Sequence, residues 1–127
     1  MAKNDLPTIL FWGTSEFAIP SLGALLDAGY PVVGVVTTPD KPSDRKQLLT
    51  PPPVKVFAES KGIFVYQIET LRTSGNALGL PDADLYVAAA YGKIIPKEII
   101  ERPRLGALNI HPSLLPRWRG PSPIQYT

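Results

Sequence analysis

The sequence holds a single histidine, His111, two residues after Asn109 and directly before Pro112. In an extended chain successive side chains alternate faces, so Asn109 and His111 are predicted to point one way and Ile110 the other. Pro112 disfavours helical dihedrals at His111 and keeps it extended. A fixed amide beside an imidazole suits a reaction that passes through a tetrahedral oxyanion: the Asn109 amide donates to the developing charge, and His111 donates a hydrogen bond or moves a proton. Such groups are each worth roughly 10²-fold or more in rate. A plainer reading has Asn109 capping local backbone and His111 sitting as a structural surface histidine, and the two residues alone do not separate these.

Whatever the pair does, a scaffold must hold it. Residues 8–12 form a short apolar run closed by Gly13, and residues 17–28 carry apolar side chains at helical spacing up to Gly29, which predicts strand, turn, helix. The valine-rich run 31–38 predicts a strand covered on both faces. Residues 38–53, with prolines at 39, 42 and 51–53 around Lys41, Arg45 and Lys46, predict a loop without regular elements, and a loop of that length is more often functional than idle. A helix over 54–60 and a strand over 63–66 follow. Residues 68–82 stay open, because Gly75 and Gly79 each weaken a helix by about 1 kcal/mol. A strand over 85–91, a helix over 97–101 and a fifth strand over 107–111 complete the pattern. Strands alternating with helices predict a doubly wound α/β domain with a Rossmann-like parallel sheet. Asn109 and His111 then stand at a carboxyl strand end, where open parallel sheets bind ligands.

Hydrophobic residues make up 44% of the 127 and charged residues 19%, which predicts one folded domain. The absence of cysteine excludes disulfides, thiolate metal sites and cysteine nucleophiles, and fits a reducing compartment. No apolar run approaches the roughly 20 residues of a membrane helix, so a cytoplasmic protein without a membrane partner is expected. The net charge of +2 is small but uneven: no acid follows Glu101, whereas Arg102, Arg104, Arg117 and Arg119 do. Gly13 stands without a G-x-G-x-x-G fingerprint, so no nucleotide cofactor is expected.

The run Asn109, His111, Ser113, Leu114, Leu115, Pro116, Arg117, Trp118, Arg119, Gly120, Pro123, Ile124, Gln125 resembles the core motif of the methionyl-tRNA formyltransferase family. ILFWGTSEFAIPSLGALL, VVTTPDKP, PPPVKVFAES and VAAAYGKIIP extend the resemblance in order over nearly all the chain. The resemblance implies a formyltransferase fold and transfer of a formyl group from 10-formyltetrahydrofolate to the amine of initiator methionyl-tRNA, in translation initiation, without a metal and by a monomeric enzyme. Asn109 and His111 would be catalytic. Ser113, Leu114, Leu115 and Pro116 would lie against the folate, and apolar walls with a few fixed polar groups suit a pterin. By the same resemblance Tyr91, Gly92 and Ile94 would line the folate side, with ordinary strand-end packing as the alternative. Lys41, Arg45 and Lys46, and with them Arg117 and Arg119, would meet tRNA; a solvated charged face is the alternative for the first three, and a core place for Trp118 between its arginines.

Two departures stand out. Ser43-Asp44-Arg45-Lys46 replaces the glycine-containing stretch usual in that loop, and no residue up to Thr127 supplies the family's downstream aspartate, since neither Asp82 nor Asp84 matches its place. The expectation is a front portion of the catalytic domain, lacking its last strands and the C-terminal tRNA-binding domain, with an open last strand prone to association and little activity on its own. An amino-sugar nucleotide as acceptor, and a folate-binding module without turnover, are the competing readings. Glycinamide ribonucleotide fits less well, because GTSEF stands where its enzymes carry a glycine-rich phosphate loop.

Overall fold

The structure, a computed structural model, describes residues 6–43, 48–69, 71, 79–110 and 121–123. The chain runs through β1 (Ile9–Gly13), a 3-10 turn (Glu16–Ala18), α1 (Ile19–Asp27), β2 (Val32–Thr37), β3 (Lys41–Ser43), β4 (Leu48–Thr50), α2 (Pro53–Ser60), β5 (Val65–Gln67), β6 (Leu85–Ala89), α3 (Lys97–Ile100), β7 (Ala107–Ile110) and β8 (Pro121–Pro123). The main sheet has the order β5-β2-β1-β6-β7-β8. Its first five strands are parallel. Strands are added first on one side of β1 and then on the other, so the winding reverses between β1 and β6, the switch point of a doubly wound α/β fold.

Burial explains the strand sequences. All five residues of β1 are buried, as an unbroken apolar run requires when both faces of a sheet are covered. On one face Leu10, Trp12, Val36, Tyr86 and Ala88 pack with Ile99 and Ile100 of α3. On the other, Ile9, Phe11, Val35, Val87 and Ala89 pack with Leu22 of α1 and with Val54 and Ala58 of α2.

The amino ends of the strands are tied by Asp84. Its backbone N–H donates to Thr8 Oγ1 at 2.9 Å, and its Oδ2 accepts from the Thr8 N–H at 3.0 Å. Oδ1 accepts from Arg104 Nε at 2.9 Å, and the Asp84 carbonyl accepts from the Leu105 N–H at 2.8 Å. One residue thus aligns β1, β6 and the entry to β7. The Thr8 N–H and then Arg104 hold the Asp84 carboxyl below the usual carboxylate range.

Four elements differ from expectation. The helix predicted to start at 17 begins at Ile19 because Pro20 suits only a first turn; Phe17 falls in the 3-10 turn capped by Ser15 and is exposed. The strand predicted at 63–66 starts at Val65, since the Ile63 N–H still closes α2 on the Ala58 carbonyl at 3.0 Å. The segment taken for a loop contains the antiparallel hairpin β3–β4, in which Pro42 pairs with Leu49. A two-stranded ribbon has an outward edge where a missing N–H costs nothing, so the proline did not exclude it. Finally, β7 is not an open edge: β8 pairs antiparallel to it, with Asn109 opposite Ser122. The edge is instead β8, whose Pro121 and Pro123 lack the N–H groups of an ordinary edge strand.

Two tests follow. A Cβ on Gly13 would stand 2.7 Å from Phe11 Cε2, 2.9 Å from Ala18 Cβ and 2.9 Å from the Ala89 carbonyl oxygen. Gly13→Ala is expected to lower unfolding free energy by about 1–3 kcal/mol in urea titrations, since backbone cannot give way cheaply. For Asp84 the folded pKa is depressed, so its contribution is present above the unfolded value and lost as pH falls through the folded one. Asp84→Asn should therefore lower the urea midpoint at pH 7, with the gap to the parent closing below about pH 4.

Candidate active site at the switch point

Where the chain leaves β1, Thr14 joins the exits of three strands. Its N–H donates to the Ala90 carbonyl at 3.1 Å, and its hydroxyl donates to the Tyr91 carbonyl at 2.7 Å. The same Oγ1 accepts from the Thr38 N–H and hydroxyl, both at 3.4 Å. Beyond β6, Ala90 has φ 50°, the left-handed region that a residue with a Cβ adopts at a cost of about 1–2 kcal/mol. Strain of this kind collects at functional sites.

A cleft of about 300 Å³ opens beside these exits. Residues 14–16 form one wall, residues 38, 39, 41 and 42 the second, and residues 50–53 the third. The hairpin thus builds part of the cleft, and it brings the exposed Lys41 to it.

Asn109 lies in a row across the sheet. Trp12 of β1 is opposite Ala88 of β6, and Ala88 is opposite Asn109 of β7. Two strand spacings separate Asn109 from Trp12, about 10 Å. Ala107 packs on the face of Trp12 and Ala88, and Ile110 on the other, so alternation sets the half-buried Asn109 on the Trp12 face. On that face the Trp12 ring meets Tyr91 edge-on, with centroids 5.4 Å apart. Both rings are buried, and neither Trp12 Nε1 nor the Tyr91 hydroxyl has a partner among the described residues. Burial pushes the Tyr91 hydroxyl up to about 12, so it stays protonated at neutral pH.

The residues singled out in the sequence therefore divide. Lys41 is at the cleft and Asn109 at the carboxyl end of β7. Of the three assigned to the folate side, Tyr91 buries its ring and offers Thr14 its carbonyl, whereas Gly92 and Ile94 are exposed, Ile94 at 75%. His111, Ser113, Leu114, Leu115, Pro116, Arg117, Trp118 and Arg119, together with Arg45 and Lys46, lie outside the described residues. Missed in the sequence were Thr14, Thr38 and residues 50–53. The polar residues that follow the apolar runs of β1 and β2 were a usable signal, since strand exits on either side of a switch point face the same crevice. Among the described residues no three His, Asp or Glu side chains converge as a metal site would need, and no helix is long and apolar enough to cross a membrane.

The formyl transferase family matches residues 8–127, which takes in every strand of the sheet, the switch point and the whole run from Asn109 onward. With nearly the entire chain covered, and a doubly wound sheet carrying Asn109 at its carboxyl end, this protein belongs to the formyl transferase family, whose chemistry is folate-dependent formyl transfer.

Proposed function

We propose that the protein transfers the formyl group of 10-formyltetrahydrofolate to the amino group of initiator methionyl-tRNA. The observation that carries the chemistry is the row Trp12, Ala88, Asn109: its one amide stands at the carboxyl end of the sheet, two strands from the Thr14 cleft. The acceptor amine attacks the formyl carbon and a carbon–nitrogen bond forms. The carbonyl oxygen takes the negative charge, which the amide of Asn109 and a hydrogen bond from His111 stabilise. The bond from that carbon to N10 of the folate then breaks, the carbonyl re-forms, and the proton lost by the amine ends on N10.

For the substrates, the cleft supports an acceptor seat: it is open, lined mainly by prolines and threonines, and carries the cation of Lys41 as well as the carboxylate of Glu16. An aminoacyl ester on a nucleic acid brings an apolar side chain beside phosphates, and such a wall suits both. Gly92 and Ile94, an exposed backbone turn and an exposed apolar side chain, support a folate side beyond β6. Arg45, Lys46, Arg117 and Arg119, which lie outside the described residues, add cationic character to the sequence.

Transfer from 10-formyltetrahydrofolate to methionyl-tRNA, run in competition with an amino-sugar nucleotide, tests the reading. Methionyl-tRNA should be the preferred acceptor, with kcat/KM falling steeply as salt rises. Preference for the sugar nucleotide overturns the choice of acceptor, and donor binding without turnover by the whole protein overturns the enzyme. Asn109→Ala should lower kcat by about 10²- to 10³-fold with KM for either substrate little changed, the signature of a bond made only in the transition state.

A further inference from the structure

Asp40 has no part in the roles above, yet its carboxylate takes side-chain hydrogen bonds from two other elements, within the segment that forms the cleft's second wall. After β2 the chain passes Thr38 and Pro39, both at the cleft, and reaches Asp40 one residue before β3. Oδ1 of Asp40 accepts from Gln67 Nε2 at 2.6 Å and from Lys55 Nζ at 3.4 Å. The same Gln67 amide nitrogen donates to the Thr38 carbonyl at 3.3 Å. Gln67 ends β5 and Lys55 lies in the first turn of α2, so two separate elements of the α/β body grip one short leg of the hairpin.

The other leg is held differently. Thr50 leads straight into Pro51, Pro52 and the start of α2 at Pro53, and the Val54 N–H donates to the Thr14 carbonyl at 3.2 Å. Both legs therefore converge on the first turn of α2, one through covalent chain with fixed φ at three successive prolines and the other through Lys55. Asp40 itself is not a lining residue of the cleft, whereas its neighbours 39 and 41 are. Its carboxylate is held below the usual range by Gln67 first and then Lys55. An ionised carboxylate offers acceptor sites only, which is what two converging donors need; an asparagine would turn one side of its amide into a third donor.

We propose that Asp40 is a positioning residue for the acceptor: by fixing residues 38–42 against α2 and β5 it sets the width of the cleft without touching the substrate. This rests on the reading of the cleft as the acceptor's seat.

The test pairs Asp40→Ala with Gln67→Leu in the whole protein, Gln67 being exposed and so tolerant of change. Amide hydrogen exchange is followed at residues 41, 43 and 48–50 and, as a reference, in β1 and β6. Both variants should raise exchange in the hairpin about tenfold or more while β1 and β6 keep their protection. KM for the acceptor should rise about tenfold, with kcat and KM for 10-formyltetrahydrofolate within about twofold of the parent. Unchanged exchange in the hairpin overturns the proposal, and so does an equal loss of protection in β1 and β6, which would make Asp40 a general stabiliser. A loosened hairpin with a raised donor KM in place of the acceptor KM would overturn both the positioning role and the acceptor seat, the exchange data showing that the clamp itself exists.

Discussion

The register of β1 against β6 is the constraint on which the rest of this protein depends. It is set at the amino ends, where Thr8 and Asp84 exchange hydrogen bonds through both backbone and side chain. Because the two strands are parallel and straight paired, whatever is fixed at residue 8 is inherited five residues later: Gly13 comes level with Ala89, Thr14 reaches the carbonyls of Ala90 and Tyr91, and Trp12 and Ala88 fall in line with Asn109. A slip of one residue would turn each of these side chains to the opposite face. The charged pair Asp84–Arg104 thus works at the amino end of the sheet, the opposite end from the Thr14 junction.

At the carboxyl ends the joining group is a neutral hydroxyl. Thr14 both donates and accepts, so one side chain serves three strand exits without bringing charge to the crevice. The left-handed backbone of Ala90 is part of the same arrangement, since it is the Ala90 carbonyl, turned out of the β6 ladder, that receives the Thr14 N–H. Strain at Ala90 and close approach at Gly13 are two sides of one tight junction.

Much of this was legible in the sequence. Apolar runs of strand length, helical spacing between them and the punctuating glycines identified the five parallel strands and, among the described residues, the three α-helices, because burial on both faces leaves a strong signal in a parallel sheet. What failed was local and had a physical cause in each case. Prolines advertise breaks, so the hairpin within residues 38–53 and the strand Pro121–Pro123 went unseen, although both are edge structures in which a missing N–H is tolerated. Of the candidate site, the placement of Asn109 was legible, since alternation along β7 and its position at the carboxyl end both follow from the strand pattern. The meeting of Asp40, Lys55 and Gln67 was not legible, because it depends on how three elements far apart in sequence pack.

That meeting explains how a cleft wall is made from a segment with so little to bury. A two-stranded hairpin is marginal in water by itself, and β3–β4 exposes Leu49 instead of adding it to the core. Its conformation must then be imposed at its ends. The prolines at 51–53 do so covalently, by removing freedom the chain would otherwise have to lose on folding. On the leg beginning at Thr38 a run of prolines is excluded, because the Thr38 N–H is already committed to Thr14 and β3 must still pair with β4. Side-chain hydrogen bonds to a carboxylate are the means that remain, and Asp40 supplies them from outside the cleft. The two legs of the hairpin are consequently held by different means, one by covalent geometry at residues 51–53 and the other by side-chain contacts to Asp40.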